Sequence, residues 1–408
     1  MRFKKSIVFV ALSISFLAKA QSSNIPVLET GGTKMPNEWI DNATGHRVIK
    51  LVNRPGINSS FYFHNNPFIK DPKTKESKMI FFGIDSGVKN AYAVNLKTKK
   101  VEQISFSKTG MGGEIVGHKY NNIYYQEKNV VYATNVITKE TKKVYEFPES
   151  YKGYIATVNA DETYLAGSKA SDAQAEISKK YPEKKDFFDR IFDAHLPNDL
   201  FTINIKTGEL KVIHTENTWL GHVQFSPTQP KLLMFCHEGP WHKLDRIWHI
   251  NILTSEVKLM HKRTMDMEIA GHEWFSPDGK TIWFDLQQPK GETFFVAGTN
   301  VQTGKEVKYK IQRDEWSIHF NTSDDLKMFC GDGGDPGQVA RAKDGQWIYH
   351  FIPSGDSLKS EKLVNMKHQN YRLEPNVHFT PDGKWVVFRA NFEGDQNVYA
   401  VEIRKYKN

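Results

Sequence analysis

The sequence has few cysteines and, beyond its first residues, no long apolar run. Only two of the 408 residues are cysteine, Cys236 and Cys330, so a disulfide scaffold is excluded and two buried free thiols are expected. No stretch of the mature chain approaches the about 20 apolar residues of a membrane helix. The formal net charge of +8 is spread along the chain rather than collected in blocks, which argues against a nucleic-acid partner.

Several catalytic motifs are also missing. The sequence contains no Gly-Xaa-Ser-Xaa-Gly elbow, no glycine-rich phosphate loop at the start of a helix and no Cys-Xaa-Xaa-Cys pair. The glycine-rich stretch at 331–337 is interpreted as a tight loop. The chemistry therefore has to come from imidazoles, arginine and oxygen or nitrogen ligands.

The N-terminus has the pattern of a secretory signal peptide. A basic start containing Arg2, Lys4 and Lys5 precedes an apolar run at 7–17 and the sequence Ala-Lys-Ala at 18–20, which predicts cleavage after Ala20. We expect a periplasmic or secreted protein that starts at Gln21. A retained membrane anchor is the alternative.

A strand followed by a turn with threonine or serine and then glycine, lysine or serine recurs along the chain, which indicates an all-β fold. Seven copies occur, the last one truncated, at 92–99, 132–139, 201–208, 248–255, 296–304, 347–355 and 398–403. A period of about 40 to 50 residues with short strands is typical of a β-propeller. The repeat predicts one seven-bladed propeller domain over 21–408, which a strand at 45–53 closes by joining the last blade. Residues 168–200 are predicted to be a helical insertion, and a two-domain α/β protein is the alternative fold.

Equivalent places in such repeats meet near the channel of the propeller. Counting back three residues from the phenylalanine of each Phe-Ser/Thr-Pro turn gives His222, His272 and Asn376, whereas His319 is offset by one. Strand alternation further predicts that Glu374, Asn376 and His378 share a face. A lone histidine at a strand start is more often structural than catalytic, but the cluster 236–242, with Asp245 and Arg246 close behind, favours a polar site on one face.

This set of side chains suits removal of a proton next to a carboxylate. The proton on C5 of a uronic acid is weakly acidic, and its removal requires that the adjacent carboxylate be neutralised by arginine or a divalent cation. A neutral histidine can then accept the proton. Elimination of the 4-linked sugar follows.

The sequence resembles the oligogalacturonate lyases, a family of seven-bladed propellers that cleave pectin fragments by β-elimination. The matching motifs are Trp-Leu-Gly-His at 219–222, Cys-His-Glu-Gly-Pro at 236–240, Asp-Arg at 245–246, His-Glu at 272–273, His319 and Gly-Asp-Gly at 331–333. The resemblance implies that His272 is the general base, that Arg246 neutralises the substrate carboxylate and that His319 is a ligand of Mn²⁺.

The chain differs from the family where the other metal ligands are expected. The family has a Gln-x-x-His-x-His run, and those places fall on Tyr371, Glu374 and Asn376 here. We expect Glu374, Asn376 and His378 to join His319 as ligands of Mn²⁺ or another divalent metal. His237, Trp241 and His242 are expected to line the pocket, with the tryptophan stacking on a sugar ring.

The combined prediction is an exported lyase that acts on an acidic oligosaccharide, with short oligogalacturonates as the first choice. One alternative is a lyase for another polyuronate, such as ulvan or rhamnogalacturonan fragments. The other is a non-catalytic propeller of the TolB type that binds a glycan or a protein.

Overall fold

The protein is described by a computed structural model that covers residues 25–342 and 346–406. The strands before the helices are β1 (Val27–Leu28), β2 (Glu38–Asp41), β3 (His46–Lys50), β4 (Ile57–Ser59), β5 (Phe68–Lys70), β6 (Ser77–Asp85), β7 (Val88–Asn95), β8 (Val101–Gln103), β9 (Gly112–Gly117), β10 (Asn122–Glu127), β11 (Val130–Asn135), β12 (Thr141–Glu146), β13 (Tyr154–Val158) and β14 (Tyr164–Ala170). The two α-helices of the described residues are α1 (Asp172–Lys180) and α2 (Lys184–Ala194).

The strands after the helices complete the chain, with one 3₁₀ turn at Arg313–Glu315. They are β15 (Asn198–Asn204), β16 (Leu210–Glu216), β17 (Trp219–Phe225), β18 (Leu232–Glu238), β19 (Ile247–Asn251), β20 (Val257–Leu259), β21 (Ile269–Phe275), β22 (Thr281–Gln287), β23 (Phe294–Asn300), β24 (Glu306–Ile311), β25 (Phe320–Thr322), β26 (Phe329–Gly331), β27 (Trp347–Ser354), β28 (Ser357–Asn365), β29 (His378–Phe379), β30 (Trp385–Ala390) and β31 (Asn397–Lys405). The prediction of an all-β protein is confirmed, and both helices lie inside the predicted insertion 168–200.

Within the described residues the strands form six sheets, and most strands pair with their neighbours along the chain. Three sheets are four-stranded meanders, β9–β12, β13–β16 and β17–β20, and a fourth joins β4–β8. The eight-stranded sheet consists of two meanders, β21–β24 and β25–β28, which a single residue pair, Lys310 and Ser357, connects. In the sixth sheet the predicted N-terminal strand β3 pairs with β31, Val48 lying opposite Val401.

The recurring threonine turn has a physical cause in the residue that ends the preceding strand. The side-chain oxygen of Asn95 accepts the backbone N–H groups of Lys97 and Thr98. Asn135, Asn204, Asn251 and Asn300 each do the same for the residues two and three places further on. Such a turn leads the chain into a left-handed residue, which favours glycine, and the sequence repeat is therefore a repeat of one hairpin geometry.

The apolar clusters lie between consecutive sheets. One cluster joins Ile80 and Ala91 to Ile123 of the next sheet, and others join each of the later pairs. A further cluster packs Val387 and Ala400, near the C-terminus, against Phe81 and Tyr92 near the N-terminus. The first and last strand groups are therefore also neighbours.

The helices pack on the sheet that follows them. Phe188 of α2 contacts the ring of Trp219 edge to face at 5.7 Å. Gly239 lies so close to Phe192 that a Cβ there would be 2.4 Å from the phenyl ring. The insertion thus supports the loop that follows β18. Cys236 and Cys330 are buried free thiols, as predicted, and within the described residues no helix is long and apolar enough to cross a membrane.

Candidate active site

His272 lies on β21 and is held by an aspartate of the next strand. Its Nδ1 is 3.0 Å from Oδ2 of Asp285, and Gly271, the residue before it, pairs with Asp285 in the ladder. The carboxylate favours the tautomer with the proton on Nδ1, which leaves Nε2 free to accept a proton. The His272 side chain is 17% exposed, so this nitrogen can be reached from solution.

The three residues predicted to be equivalent share one unusual backbone conformation. His222, His272 and Asn376 have φ of 46°, 51° and 53°, in the left-handed region that non-glycine residues seldom adopt. At His222 and His272 the ladder register also shifts, between Gly221 and Gln224 and between Gly271 and Trp274. The predicted equivalence is confirmed, and strain of this kind is common at functional sites.

Arg246 is enclosed rather than open to a ligand. Its Nη1 and Nη2 donate to Glu238 at 2.8 and 3.0 Å, and its Nε donates to Glu273. The arginine side chain is 1% exposed. Burial alone would raise the pKa of Glu273, but Arg246 and His222 together with hydrogen bonds from Arg246 and Cys236 lower this pKa overall. The guanidinium is therefore satisfied by two carboxylates of the protein.

Trp241 links this ion cluster to His272. The Arg246 guanidinium carbon lies 4.5 Å from the centroid of the indole, and the indole meets the His272 ring edge to face at 5.2 Å. Gly271 makes room for it, because a Cβ there would be 2.4 Å from Cζ3 of Trp241. Trp241, which was expected to line the pocket, therefore lies against His272.

His319 forms a second histidine–aspartate pair next to the first. Its Nδ1 is 2.8 Å from Oδ2 of Asp332, and its Nε2 is 3.2 Å from the hydroxyl of Tyr62. The ring centroids of His319 and His272 are 5.1 Å apart. Burial raises the pKa of Asp332 to about 7 and lowers the pKa of His319 well below its usual value, so burial opposes charge on both partners.

The predicted offset of His319 is wrong. Thr322 pairs with Phe329 as Phe275 pairs with Ile282, so Thr322 and not Asn321 is the counterpart of Phe275. His319 precedes its aspartate by 13 residues, and His272 precedes its own by 13. The two histidines therefore occupy the same place in consecutive meanders.

The predicted shared face of Glu374, Asn376 and His378 is also wrong. The strand β29 contains only His378 and Phe379, and the left-handed Asn376 interrupts the alternation that the prediction assumed. The Glu374 carboxylate faces His319, with Oε2 3.7 Å from Nε2. His378 turns away, its Nε2 3.1 Å from the carbonyl of Asn65, and burial lowers its pKa to about 4.

The residues predicted to hold Mn²⁺ do not assemble into a ligand set. The Asn376 side-chain oxygen accepts the backbone N–H of Phe63, and its amide donates to the carbonyl of Glu374. Only His319 and Glu374 are together. Across residues 25–342 and 346–406, no group of three or more His, Cys, Asp or Glu lies closely enough to hold a metal ion. Two donors do not fit the coordination that such an ion takes in proteins.

Of the other predicted pocket residues, His237 is engaged elsewhere. Its Nε2 is 3.1 Å from Glu216, and its ring stacks on Trp248 at 5.0 Å. His242 is half-buried, and its carbonyl accepts from Arg263. The structure does not bring either imidazole to His272 through a described contact.

A cavity of about 520 Å³ lies at the C-terminal ends of the first strands of several sheets, such as β9, β17 and β21. His64, His118, His378, Phe275 and Phe379 are among its lining residues. His272, Arg246, His319 and Glu374 do not line it, so the cavity and the histidine–aspartate pairs are separate features.

Four residues near His272 or His319 were not predicted: Tyr62, Asp285, Asp332 and Arg389. The equal spacing of both histidine–aspartate pairs could have revealed the aspartates. Tyr62 comes from the loop after β4, which carries no repeat signal, yet its ring lies 5.0 Å from that of His319.

Comparison with known proteins gives consistent matches. The family model described as Oligogalacturonate lyase matches residues 34–406. An oligogalacturonide lyase of Pectobacterium atrosepticum is 25% identical over 395 residues, which cover 91% of this chain and 98% of that protein. An oligogalacturonate lyase of Dickeya dadantii is 27% identical over 387 residues, which cover 89% and 95%.

Two solved structures share the fold. An oligogalacturonate lyase in complex with manganese superposes with a TM-score of 0.77 at 22% identity, over 90% of this chain and 96% of that one. The crystal structure of an oligogalacturonate lyase from Vibrio parahaemolyticus also gives 0.77, at 24% identity, over 91% and 97%.

Proposed function

Because the chain belongs to the oligogalacturonate lyase family and is thus a carbon–oxygen lyase acting on polysaccharide fragments, we propose that it cleaves short oligogalacturonates by β-elimination with His272 as the base. The observation that carries this proposal is the His272–Asp285 pair. Asp285 fixes the imidazole at 3.0 Å, and the imidazole is partly exposed beside Trp241 and His319.

In the proposed reaction Nε2 of His272 takes the proton from C5 of a galacturonate. The electron pair of that bond forms the double bond between C4 and C5, the bond from C4 to the glycosidic oxygen breaks, and the leaving oxygen takes up a proton. The Asp285 carboxylate stabilises the imidazolium that forms. The products are a 4,5-unsaturated uronate and a shortened sugar.

Arg246 is assigned a positioning role in this proposal. Glu238 and Glu273 already accept its hydrogen bonds, and Glu238 also lies 3.1 Å from Nε2 of His222, so the guanidinium is not available to bind a uronate. By holding Glu273 and Trp241, Arg246 keeps the residues beside His272 in place.

Manganese is present in a solved relative, and it was predicted here with His319, Glu374, Asn376 and His378 as ligands. Only His319 and Glu374 lie together, so the donor set does not fit, and no step of the proposed reaction uses a metal ion.

We further infer that the sheets, with the eight-stranded one counted as two, are the seven blades of one closed propeller spanning 21–408. The apolar packing of the first group against the last and the β3–β31 pairing support this inference. Export is also proposed. It rests on the signal peptide at 1–20, which lies outside the described residues.

The test is the ultraviolet absorbance of the unsaturated product on incubation with digalacturonate. Wild type is expected to give a signal and His272→Ala to lose it, while His249→Ala, whose ring has no described contact with His272, is expected to retain it. No signal from wild type with galacturonate, ulvan or rhamnogalacturonan oligomers would overturn the proposed reaction.

A further inference from the structure

Arg389 occupies a place that carries an aspartate in the two preceding meanders. Asp285 and Asp332 each follow an inner-strand histidine by 13 residues, and Arg389 follows Asn376 at the same spacing. The register agrees, because Phe379 pairs with Val386 as Phe275 pairs with Ile282. One position of the repeat has therefore reversed its charge.

The Arg389 guanidinium is held entirely by neutral groups. Its Nε donates to the carbonyl of Glu374 at 2.7 Å, and Nη1 donates to Oγ of Ser59 at 3.1 Å and to the carbonyl of Ser60 at 3.5 Å. Among the described residues, no carboxylate oxygen lies within 4.0 Å of a nitrogen of the Arg389 guanidinium. Nη2 has no hydrogen-bond partner among those residues, and it is not a buried orphan, so solvent reaches it.

A charge that no carboxylate pairs with directly is costly in a partly buried position unless a ligand of opposite charge completes it. Burial lowers the pKa of Arg389, and the Glu374 and Asp332 carboxylates, which act on it without a direct ion pair, offset only part of that effect. The exposed Nη2 of a guanidinium that is fixed in this way can donate a charge-assisted hydrogen bond to a carboxylate oxygen. The environment of Arg389 is thus that of a binding residue for an anion.

Contacts connect Arg389 to the base. Arg389 holds the backbone of Glu374, whose carboxylate lies 3.7 Å from Nε2 of His319, and the His319 ring is 5.1 Å from that of His272. Arg246 cannot bind a substrate carboxylate in this way, because its guanidinium already donates to Glu238 and Glu273.

We propose that Arg389 binds the carboxylate of the galacturonate whose C5 proton His272 removes, and so supplies the neutralising charge that the enclosed Arg246 and the incomplete metal ligands do not. This inference rests on the proposed function. It assigns the anion-binding role to a residue for which neither the sequence motifs nor the matches give a role.

The experiment measures binding and turnover separately. Binding of digalacturonate and of its dimethyl ester is measured by calorimetry in the inactive His272→Ala background, with and without Arg389→Ala. Loss of a charged hydrogen bond is expected to weaken binding of the free acid about 10- to 100-fold. Binding of the uncharged ester is expected to change little, which a merely structural role of Arg389 would not produce.

Turnover is then measured in the otherwise native protein with EDTA present. Arg389→Ala is expected to lower kcat/KM by at least about 10-fold, Arg389→Lys to recover part of it, and Arg372→Ala, an exposed arginine of the same segment, to match wild type. Thermal unfolding of each variant tests whether it is folded.

The outcomes separate the two proposals. Equal weakening for acid and ester, or wild-type kinetics in Arg389→Ala, overturns the role of Arg389 and leaves the lyase proposal standing. Loss of all activity with EDTA, restored by Mn²⁺, also overturns it, because a metal ion would then supply the charge. Wild type that neither binds nor cleaves digalacturonate overturns the proposed function and this inference with it.

Discussion

The ring of His272 meets the ring of His319 edge to face with centroids 5.1 Å apart, and each ring is held by an aspartate 13 residues further along the chain. The pairs differ in access, because the His272 side chain is 17% exposed and the His319 side chain 1%. Only His272 can meet a sugar directly. His319 instead packs against the His272 ring and helps to position it.

Asp285→Asn is expected to lower kcat about 10- to 100-fold with a smaller change in KM, because an amide can orient His272 in the wrong tautomer and cannot stabilise its charged form. Initial rates of product absorbance check this. Asp278→Asn, on the turn between β21 and β22, is the control and should retain wild-type rates. A kcat for Asp285→Asn equal to that of wild type would contradict the assignment of the base.

Arg246→Ala is expected to destabilise the protein by about 3–5 kcal/mol, because it leaves the Glu238 and Glu273 carboxylates buried without a partner. Urea unfolding measures the free energy. Adding Glu273→Gln to the Arg246→Ala variant should recover part of the loss. If the single variant is as stable as wild type, the ion cluster has no structural role.

Gly271→Ala is expected to cost about 1–3 kcal/mol of stability through overpacking, because the new Cβ would lie 2.4 Å from the Trp241 ring. Denaturant unfolding of Gly271→Ala, Trp241→Ala and the double variant forms the test. The two changes should be less than additive, since removing the indole removes the clash. Additive losses would show that the two residues do not touch.

Stability is expected to fall as the pH drops below about 6.5, in part because of His64. Burial lowers the pKa of His64 to about 3; His222, His319 and His378 oppose its protonation, and Glu273 favours it. The unfolded chain therefore binds more protons than the folded protein between these two pKa values, and this contribution is lost on acidification.

His64→Gln should flatten this pH dependence by up to about 1.4 kcal/mol per pH unit. Urea unfolding at pH 7.5 and 5 compares wild type, His64→Gln and the control His195→Gln, which lies at the exposed end of α2. An unchanged slope for His64→Gln would contradict the buried neutral state of this ring.

The sequence predicted those features that one repeat unit contains in full. The asparagine–threonine turns, the equivalence of His222, His272 and Asn376, and the helical insertion each depend on neighbours within a few residues.

The errors arise where the repeat pattern does not show a residue's partner or its backbone conformation. Glu273 lies 27 residues from Arg246, and no local pattern shows that it would close the guanidinium off from a ligand. Asp332 lay in a glycine-rich stretch interpreted as a plain loop, although that stretch carries the partner of His319. The alternation of side chains predicted at 374–378 failed because the left-handed backbone of Asn376 interrupts the strand.

The pairing of β3 with β31 joins strands from the two ends of the chain; Asn397 donates to the carbonyl of Val52, 345 positions earlier. During synthesis β3 can pair with β2, but its other edge has no partner until the final strand has left the ribosome. This sheet is therefore the last to be completed, and contacts of such long range make folding slow. A chain that lacks its final strand should keep the other meanders but expose the edge of β3 to aggregation.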